Sequence, residues 1–424
     1  MTDVLVLAAL FLGYALISQG PRGAWLTAPM VFTTGGLLLG SAGVGVLSGA
    51  VTGEMMRILT EATLVLVLFT DAIRIDLGAL RREYALPLRL FGLGIPLGIV
   101  LGALLAFGLI PALGVAGALL LAAVLVPTDA ALSVSVIANR DLPARVRQSL
   151  NVESGLNGGL TLPVVVLLSA MAVDLGEAAD AAPGWAAFTA QQIGLGALVG
   201  VAVGSIGGKV LVRADTAGWV NATYRRLYSL ALAALAYAAA DVVQGNGLLS
   251  VFVAGLAFGV AGRSDRRFVH QFTEREGELL NMLTFTLFGA LIIGPRIDDI
   301  DWQVLAYAAL SLLVVRPLAV AVATLGTRLR PTTVLFLGWF GPRGLTSIVF
   351  ALMVVEQADS AMTEQILTAV GVTVLFSVYA HGATAVPWAR FYARRAKTFA
   401  PSAPEHEGMA EHDHRWRPRD HPDR

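Results

Sequence analysis

Apolar runs of roughly twenty residues recur from one end of the chain to the other, each long enough to cross a bilayer as a helix. Thirteen are readable, near 4–18, 24–40, 59–73, 88–107, 113–138, 150–173, 188–212, 227–240, 247–262, 280–294, 302–326, 333–355 and 365–388. Several are rich in Gly and Ala, a composition that lets helices approach closely in lipid. The pattern predicts an all-α membrane protein of about thirteen transmembrane helices.

The connecting loops test this count. With the loop holding Arg22 on the cytoplasmic side, successive cytoplasmic loops hold Arg74, Arg81, Arg82 and Arg89, then Arg140, Arg145 and Arg147, then Lys209, Arg213, Arg225 and Arg226. The series continues with Arg263, Arg266, Arg267 and Arg275, then Arg328 and Arg330, and closes with Arg390, Arg394, Arg395 and Lys397. Opposite loops hold only Arg57 and Arg296, and are otherwise acidic, with Asp174, Glu177, Asp180, Asp298, Asp299, Asp301, Glu356, Asp359 and Glu364. This alternation is the positive-inside rule at work, and one missed or extra helix would scramble it. It predicts a multi-pass protein of the cell (inner) membrane with its N-terminus outside and its C-terminus cytoplasmic. Val4 to Ile17 lacks a basic flank and a small-residue cleavage site, so it reads as a retained first helix.

Composition narrows the function classes. Of 424 residues, 56% are hydrophobic and only 14% charged, with a mean hydropathy of +0.71, too little charge to cover a soluble domain. Without cysteine there is neither a disulfide framework nor a thiolate metal site. Nothing points to nucleic acid. There is no His-Glu-x-x-His and no Gly-x-Ser-x-Gly with a plausible triad, so no enzyme and no cofactor is expected. The polar tail 401–424 carries His406, His412, His414 and His421. A metal-binding or pH-sensing end is conceivable there, but a disordered cytoplasmic tail is the preferred reading.

A charge at membrane depth costs about 2.5–3.5 kcal/mol on insertion scales, so each one needs a reason. Glu61, Asp129, Glu153, Arg316 and Arg343 are the clearest cases. Asp129 follows Pro127 and Thr128 inside the fifth run, where the proline frees a carbonyl in mid-helix. Thr128 and Asp129 can cap the half-helix that follows or help to hold an ion; both point to a site. Seven runs later, Gly341, Pro342 and Gly344 interrupt the twelfth run around Arg343. Two broken helices at matching positions predict inverted six-helix repeats, built from runs one to six and eight to thirteen, with two crossed discontinuous helices. Arg343 then offsets carboxylates of the opposite half, or forms a purely structural pair. Glu153, Ser154 and Asn157 share one face at the start of the sixth run, offering a carboxylate, a hydroxyl and an amide oxygen. Hard cations prefer such ligands, although a satisfied interhelical hydrogen-bond network is the rival. Glu61 and Arg316 read as structural ion-pair candidates, and His381 as a packed or interfacial histidine.

At this point the residues become recognisable. Segments 126–132, 150–163 and 338–348 resemble the NhaP-type branch of the sodium/proton exchanger superfamily, with support from 66–72, 247–256 and 376–382. The resemblance covers essentially the whole hydrophobic region. It implies a transporter domain over 1–400, with core helices at about 59–173 and 280–390 and a dimerisation panel and linker at about 4–40 and 188–262. It also implies exchange of Na⁺ or K⁺ for H⁺ by an elevator-like movement in a homodimer, with no metal beyond the transported cation. By motif, Thr128 and Asp129 match the unwound Thr-Asp pair; Glu153, Ser154 and Asn157 match the ion-site helix; Arg343 matches the second crossing helix.

One departure matters. The family pattern reads Asn-Asp where this chain reads Asn157-Gly158, and that Asp is the carboxylate expected to hold cation and proton alternately. Natural loss or change of activity, a deliberately disabled variant, and transfer of the role to Asp129 or Glu153 all fit. Two rival functions stay open at this stage, a transport-inactive cation-binding or regulatory homologue and an organic-anion symporter.

Overall fold

In the computed structural model of the chain, residues 2–17, 26–45, 58, 61–62, 65–66, 68–70, 72–73, 85–137, 139–177, 182–261, 274–357, 360–400 and 402–406 are described. Among them every regular element is helical. The helices are α1 (Thr2–Ile17), α2 (Ala28–Leu39), α3 (Leu86–Leu109), α4 (Gly114–Leu125), α5 (Ala130–Ile137), α6 (Ala144–Glu177) and α7 (Ala182–Thr216). They are followed by α8 (Ala222–Val242), α9 (Gly247–Ala261), α10 (Glu274–Leu287), α11 (Trp302–Ala323), α12 (Pro331–Trp339), α13 (Leu345–Gln357) and α14 (Ala361–Ala396). The run expected at 59–73 is described only in part. Of the loop charges named above, Arg22, Arg57, Arg74, Arg81, Arg82, Asp180, Arg263, Arg266, Arg267 and Asp359 lie outside the described residues.

The two interrupted runs behave as their prolines and glycines require. The fifth splits into α4 and α5 around 126–129, and the twelfth into α12 and α13 around 340–344. The seven-run offset recurs in finer detail. In α3 a π-helical turn, Leu90–Gly94, runs into Ile95-Pro96; in α11 the π turn Ser311–Val315 runs into Arg316-Pro317. A proline lacks the amide that would close the helical ladder, so a wider turn accommodates it without ending the helix. The sixth and thirteenth runs become the two longest helices among the described residues, α7 apart: α6 with 34 residues and internal Pro163, and α14 with 36 and internal Pro387.

Close packing follows from small residues. Gly196, Gly200 and Gly204 form a stripe at four-residue spacing on α7, and a Cβ on any of them would collide with the backbone of Asn246, Ser250 or Ala254. Towards the crossing, the second half of α4 is buried, with Leu120, Leu121, Ala122, Ala123, Val124 and Leu125 all enclosed. A second apolar cluster, including Val136, Val146, Phe336, Phe340, Tyr392 and Phe399, closes one end of these helices.

The tail expected to be disordered from 401 does not begin that way. Pro404–His406 form a 3₁₀ turn, Pro404 O accepts from Arg145 Nη1 at 2.6 Å, and Glu405 is fully buried. Its Oε1 accepts from the Arg330 amide and the Thr333 hydroxyl, each at 2.8 Å. Glu405 therefore supplies, from the tail, the acceptor that the first turn of α12 lacks within its own segment. The turn bridges the starts of α6, which carries Glu153, Ser154 and Asn157, and of α12, which leads to the second break. His406 ends it, and His412, His414 and His421 lie outside the described residues. Removing this acceptor with Glu405→Ala is expected to cost about 1–3 kcal/mol at the contact. Amide exchange at Arg330 should quicken by a corresponding order of magnitude, while Glu405→Gln, which keeps an acceptor oxygen, should retain most of the protection.

Candidate functional site

Where α4 and α12 stop inside the protein, each leaves carbonyls without helical partners, and α13 begins with free amides. The two interruptions satisfy each other. The Asp129 amide donates to Pro342 O at 2.8 Å, and Asp129 Oδ2 accepts from the Leu345 amide at 2.7 Å. The carboxylate of one broken helix thus caps the N-terminus of the other, where the helix dipole favours negative charge. In return, Arg343 Nη1 donates to Val126 O at 2.5 Å and Pro127 O at 3.3 Å, placing a cation at the negative end of α4. Gly344 permits the approach, since a Cβ there would overlap Asp129 Oδ2. Gly341 does the same for the Arg316 guanidinium that lies against it.

Beside this crossing, α6 contributes its polar face. Asn157 Nδ2 donates to Thr128 Oγ1 at 2.9 Å, and Thr128 Oγ1 lies 3.2 Å from Ser154 Oγ. Thr128, Ser154 and Asn157 are all buried, and Asn157 Oδ1 has no hydrogen-bond partner among the described residues. One turn back, Glu153 is 1% exposed and receives Arg316 Nη2 at 2.8 Å in a two-pronged ion pair. Arg316 is therefore the partner of Glu153. Glu61, read as an ion-pair candidate, accepts from the Tyr237 hydroxyl; Arg57, four residues before it, lies outside the described residues. Asp129, read as capping its own following helix or ligating an ion, reaches across to cap α13.

The family described as "Sodium/hydrogen exchanger, transmembrane" matches residues 6–391. This chain belongs to that family. Among curated relatives, the K(+)/H(+) antiporter NhaP of Alkalimonas amylolytica is 26% identical over 328 residues, 76% of this chain and 55% of that protein. The K(+)/H(+) antiporter NhaP2 of Shewanella oneidensis is 29% identical over 238 residues, 54% of this chain and 39% of that protein. The chain spans about half the length of the curated relatives it matches or less. Its fold is that of the sodium proton antiporter MjNhaP1 from Methanocaldococcus jannaschii, with a TM-score of 0.71 at 17% identity over 90% of this chain and all of that one.

Within this exchanger-family fold, the structure brings Thr128, Asp129, Ser154, Asn157, Gly158 and Arg343 around one crossing, with the Glu153–Arg316 pair adjoining. Gly158 faces α13: a Cβ there would lie 3.3 Å from Thr346 Cγ2, 3.6 Å from Leu68 Cδ2 and 3.7 Å from Thr346 Oγ1. A side chain at 158 would thus project to the start of the helix that Asp129 caps. Sequence reasoning did not single out Thr346 or Ser347, whose buried Oγ has no partner among the described residues, nor Ser377. Thr346 and Ser347 stand two and three residues after Gly344, so proximity to the break was the available signal.

Two stability tests follow. Gly344→Ala must displace the Asp129 cap and is expected to cost about 2 kcal/mol or more, whereas Gly158→Ala should stay within about 1 kcal/mol; thermal unfolding in detergent ranks them. Glu153→Gln strands the buried Arg316 charge and should cost about 3–5 kcal/mol, much of it recovered in Glu153→Gln/Arg316→Met. Equal unfolding temperatures for the single and double variants would contradict the pairing.

Proposed function

We propose that this chain exchanges a monovalent cation, Na⁺ or K⁺, for H⁺ across the cell membrane, with coupling weakened by Gly158. The observation that carries the reading is the buried oxygen cluster of Thr128, Ser154 and Asn157 set against two helix interruptions that cap each other. The relatives named as K(+)/H(+) antiporters and the solved sodium proton antiporter of the same fold support it. Thr128, Ser154 and Asn157 would supply neutral oxygens to a dehydrated cation, a donor set suited to hard monovalent ions. Arg343 and Asp129 would hold the breakpoints while the core moves in the elevator manner.

Exchange needs one group that takes either the proton or the cation. Asp at position 158 would be that group beside Thr346, and Gly158 is not. Asp129 is engaged as the cap of α13 and Glu153 as the partner of Arg316. Each can take over the role only by releasing its present contact, so turnover should be slow. The same observation favours, as the second reading, a cation-binding homologue that does not transport. The orientation with the N-terminus outside and the C-terminus cytoplasmic, the division into core and panel, and a homodimer complete the proposal. The positive loop residues and the family resemblance support them.

The test is cation-induced collapse of ΔpH in everted vesicles, with Na⁺, K⁺ and Li⁺, for the wild-type chain and Gly158→Asp. The variant is expected to exchange at least about tenfold faster, the loss typical of removing a group that acts directly in the reaction. Wild-type exchange as fast as that of the variant would refute impairment. Cation binding without flux in either protein would favour the non-transporting reading.

A further inference from the structure

The stretch 376–382 supports the family resemblance by its residues, yet none of them enters the ion cluster. Its geometry assigns two of them another role. Ser377 and His381 stand four residues apart on one face of α14, both buried, with Thr384 one turn further. Ser377 Oγ accepts the Arg343 amide at 2.7 Å. His381 Nε2 lies 2.8 Å from Trp339 O, the carbonyl that α12 leaves at its end, and the imidazole stacks on the Trp339 ring with centroids 4.8 Å apart. Trp339 Nε1 in turn donates to Thr384 Oγ1 at 2.9 Å. One helix face therefore grips both ends of the non-helical link between α12 and α13.

Both ring nitrogens of His381 face carbonyls, which only accept: Nε2 lies 2.8 Å from Trp339 O, and Nδ1 2.9 Å from Ser377 O one helical turn back. A neutral ring carries one N–H and donates to one of the two; the tautomer protonated on Nε2 is the one that ties α14 to the end of α12. In that tautomer Nδ1 can accept the Ser377 hydroxyl proton across 3.2 Å, while a lone pair of Ser377 Oγ receives the Arg343 amide. The opposite side of α14 is anchored too. Tyr379 Oη is 2.6 Å from Thr34 Oγ1 on α2, and Gly382 lies so close to Met30 that a Cβ there would come within 2.5 Å of its Sδ.

We propose that Ser377 and His381 are positioning residues for the exchange cycle. They fix the link 339–343 so that the Arg343 guanidinium meets the Val126 and Pro127 carbonyls and the Leu345 amide meets Asp129. Neither touches the ion. An extended link inside the membrane has no ladder of its own, so its position depends on side chains that reach its amides and carbonyls. A displacement of an ångström at such a site is enough to reduce rate strongly.

The transport arm of the test rests on the exchange reading above; the second arm does not. In everted vesicles, on the wild-type and Gly158→Asp backgrounds, Ser377→Ala and His381→Phe are expected to lower the maximal rate about tenfold, with half-saturating cation changed less than about twofold. Ser377→Thr keeps the hydroxyl and His381→Gln keeps a donor near the Nε2 position, so both should retain most of the rate. Independently, amide exchange of the full-length protein in nanodiscs should show Arg343 deprotected about tenfold in Ser377→Ala but not in Ser377→Thr. The Ser250 amide on α9, away from the crossing, serves as the reference for general loosening. If neither background exchanges cations, the exchange reading falls and the amide measurement alone decides the brace. Unchanged Arg343 protection in Ser377→Ala overturns the proposal. So does His381→Gln failing as completely as His381→Phe, which would make the ring a proton carrier.

Discussion

Breaking a helix inside a membrane exposes polar backbone groups where water cannot reach them. Every such group left bare costs several kcal/mol, so the break survives only where something else satisfies it. In this chain the solution is reciprocal: Asp129 caps α13 across the crossing, and Arg343 covers the carbonyl end of α4. Each break contributes the charge that the other's helix end requires. Neither interruption would be tolerable alone, so the crossing is a single unit, and the surrounding packing serves to keep it closed. Gly344 and Gly341 matter for the same reason, because the carboxylate and the Arg316 guanidinium occupy the space their side chains would take.

Two acids and two arginines gather at this centre: Glu153 meets Arg316 directly, while Asp129 and Arg343 each sit on a helix end. With glycine at 158, these four groups cancel and the neutral oxygens of Thr128, Ser154 and Asn157 stand beside them. A carboxylate at 158 would add an uncompensated negative charge at the start of α13, which is what a cation site needs. Glycine at 158 carries no such charge and is easily accommodated beside Thr346, so the architecture stands without it.

The anchoring of the crossing extends outwards. α14 holds the second break from one side and meets α2 on the other, while the tail turn around Glu405 joins the starts of α6 and α12. The second break is therefore held both at its centre and at the start of the helix that leads to it.

Hydropathy and loop charge were enough to show a many-helix membrane protein, because span length and the cost of buried charge act on each segment separately. The prolines at 127 and 342 and the glycines at 341 and 344 marked both breaks, since missing amides and missing Cβ atoms are local properties. The importance of Asp129, Glu153, Asn157 and Arg343 was likewise visible as charge and polarity at membrane depth. Which partner each one takes was not. Asp129 could cap its own helix or hold an ion, Arg316 could meet any acid, and the Tyr237 hydroxyl on Glu61 had no sequence signal. The brace from Ser377 and His381 and the docking of Glu405 were equally hidden, because residues 34 to 75 positions apart in the chain become neighbours only when the helices assemble. Composition determines that these polar groups must be satisfied inside the protein; only the tertiary structure, by deciding which helix ends meet, determines what satisfies them.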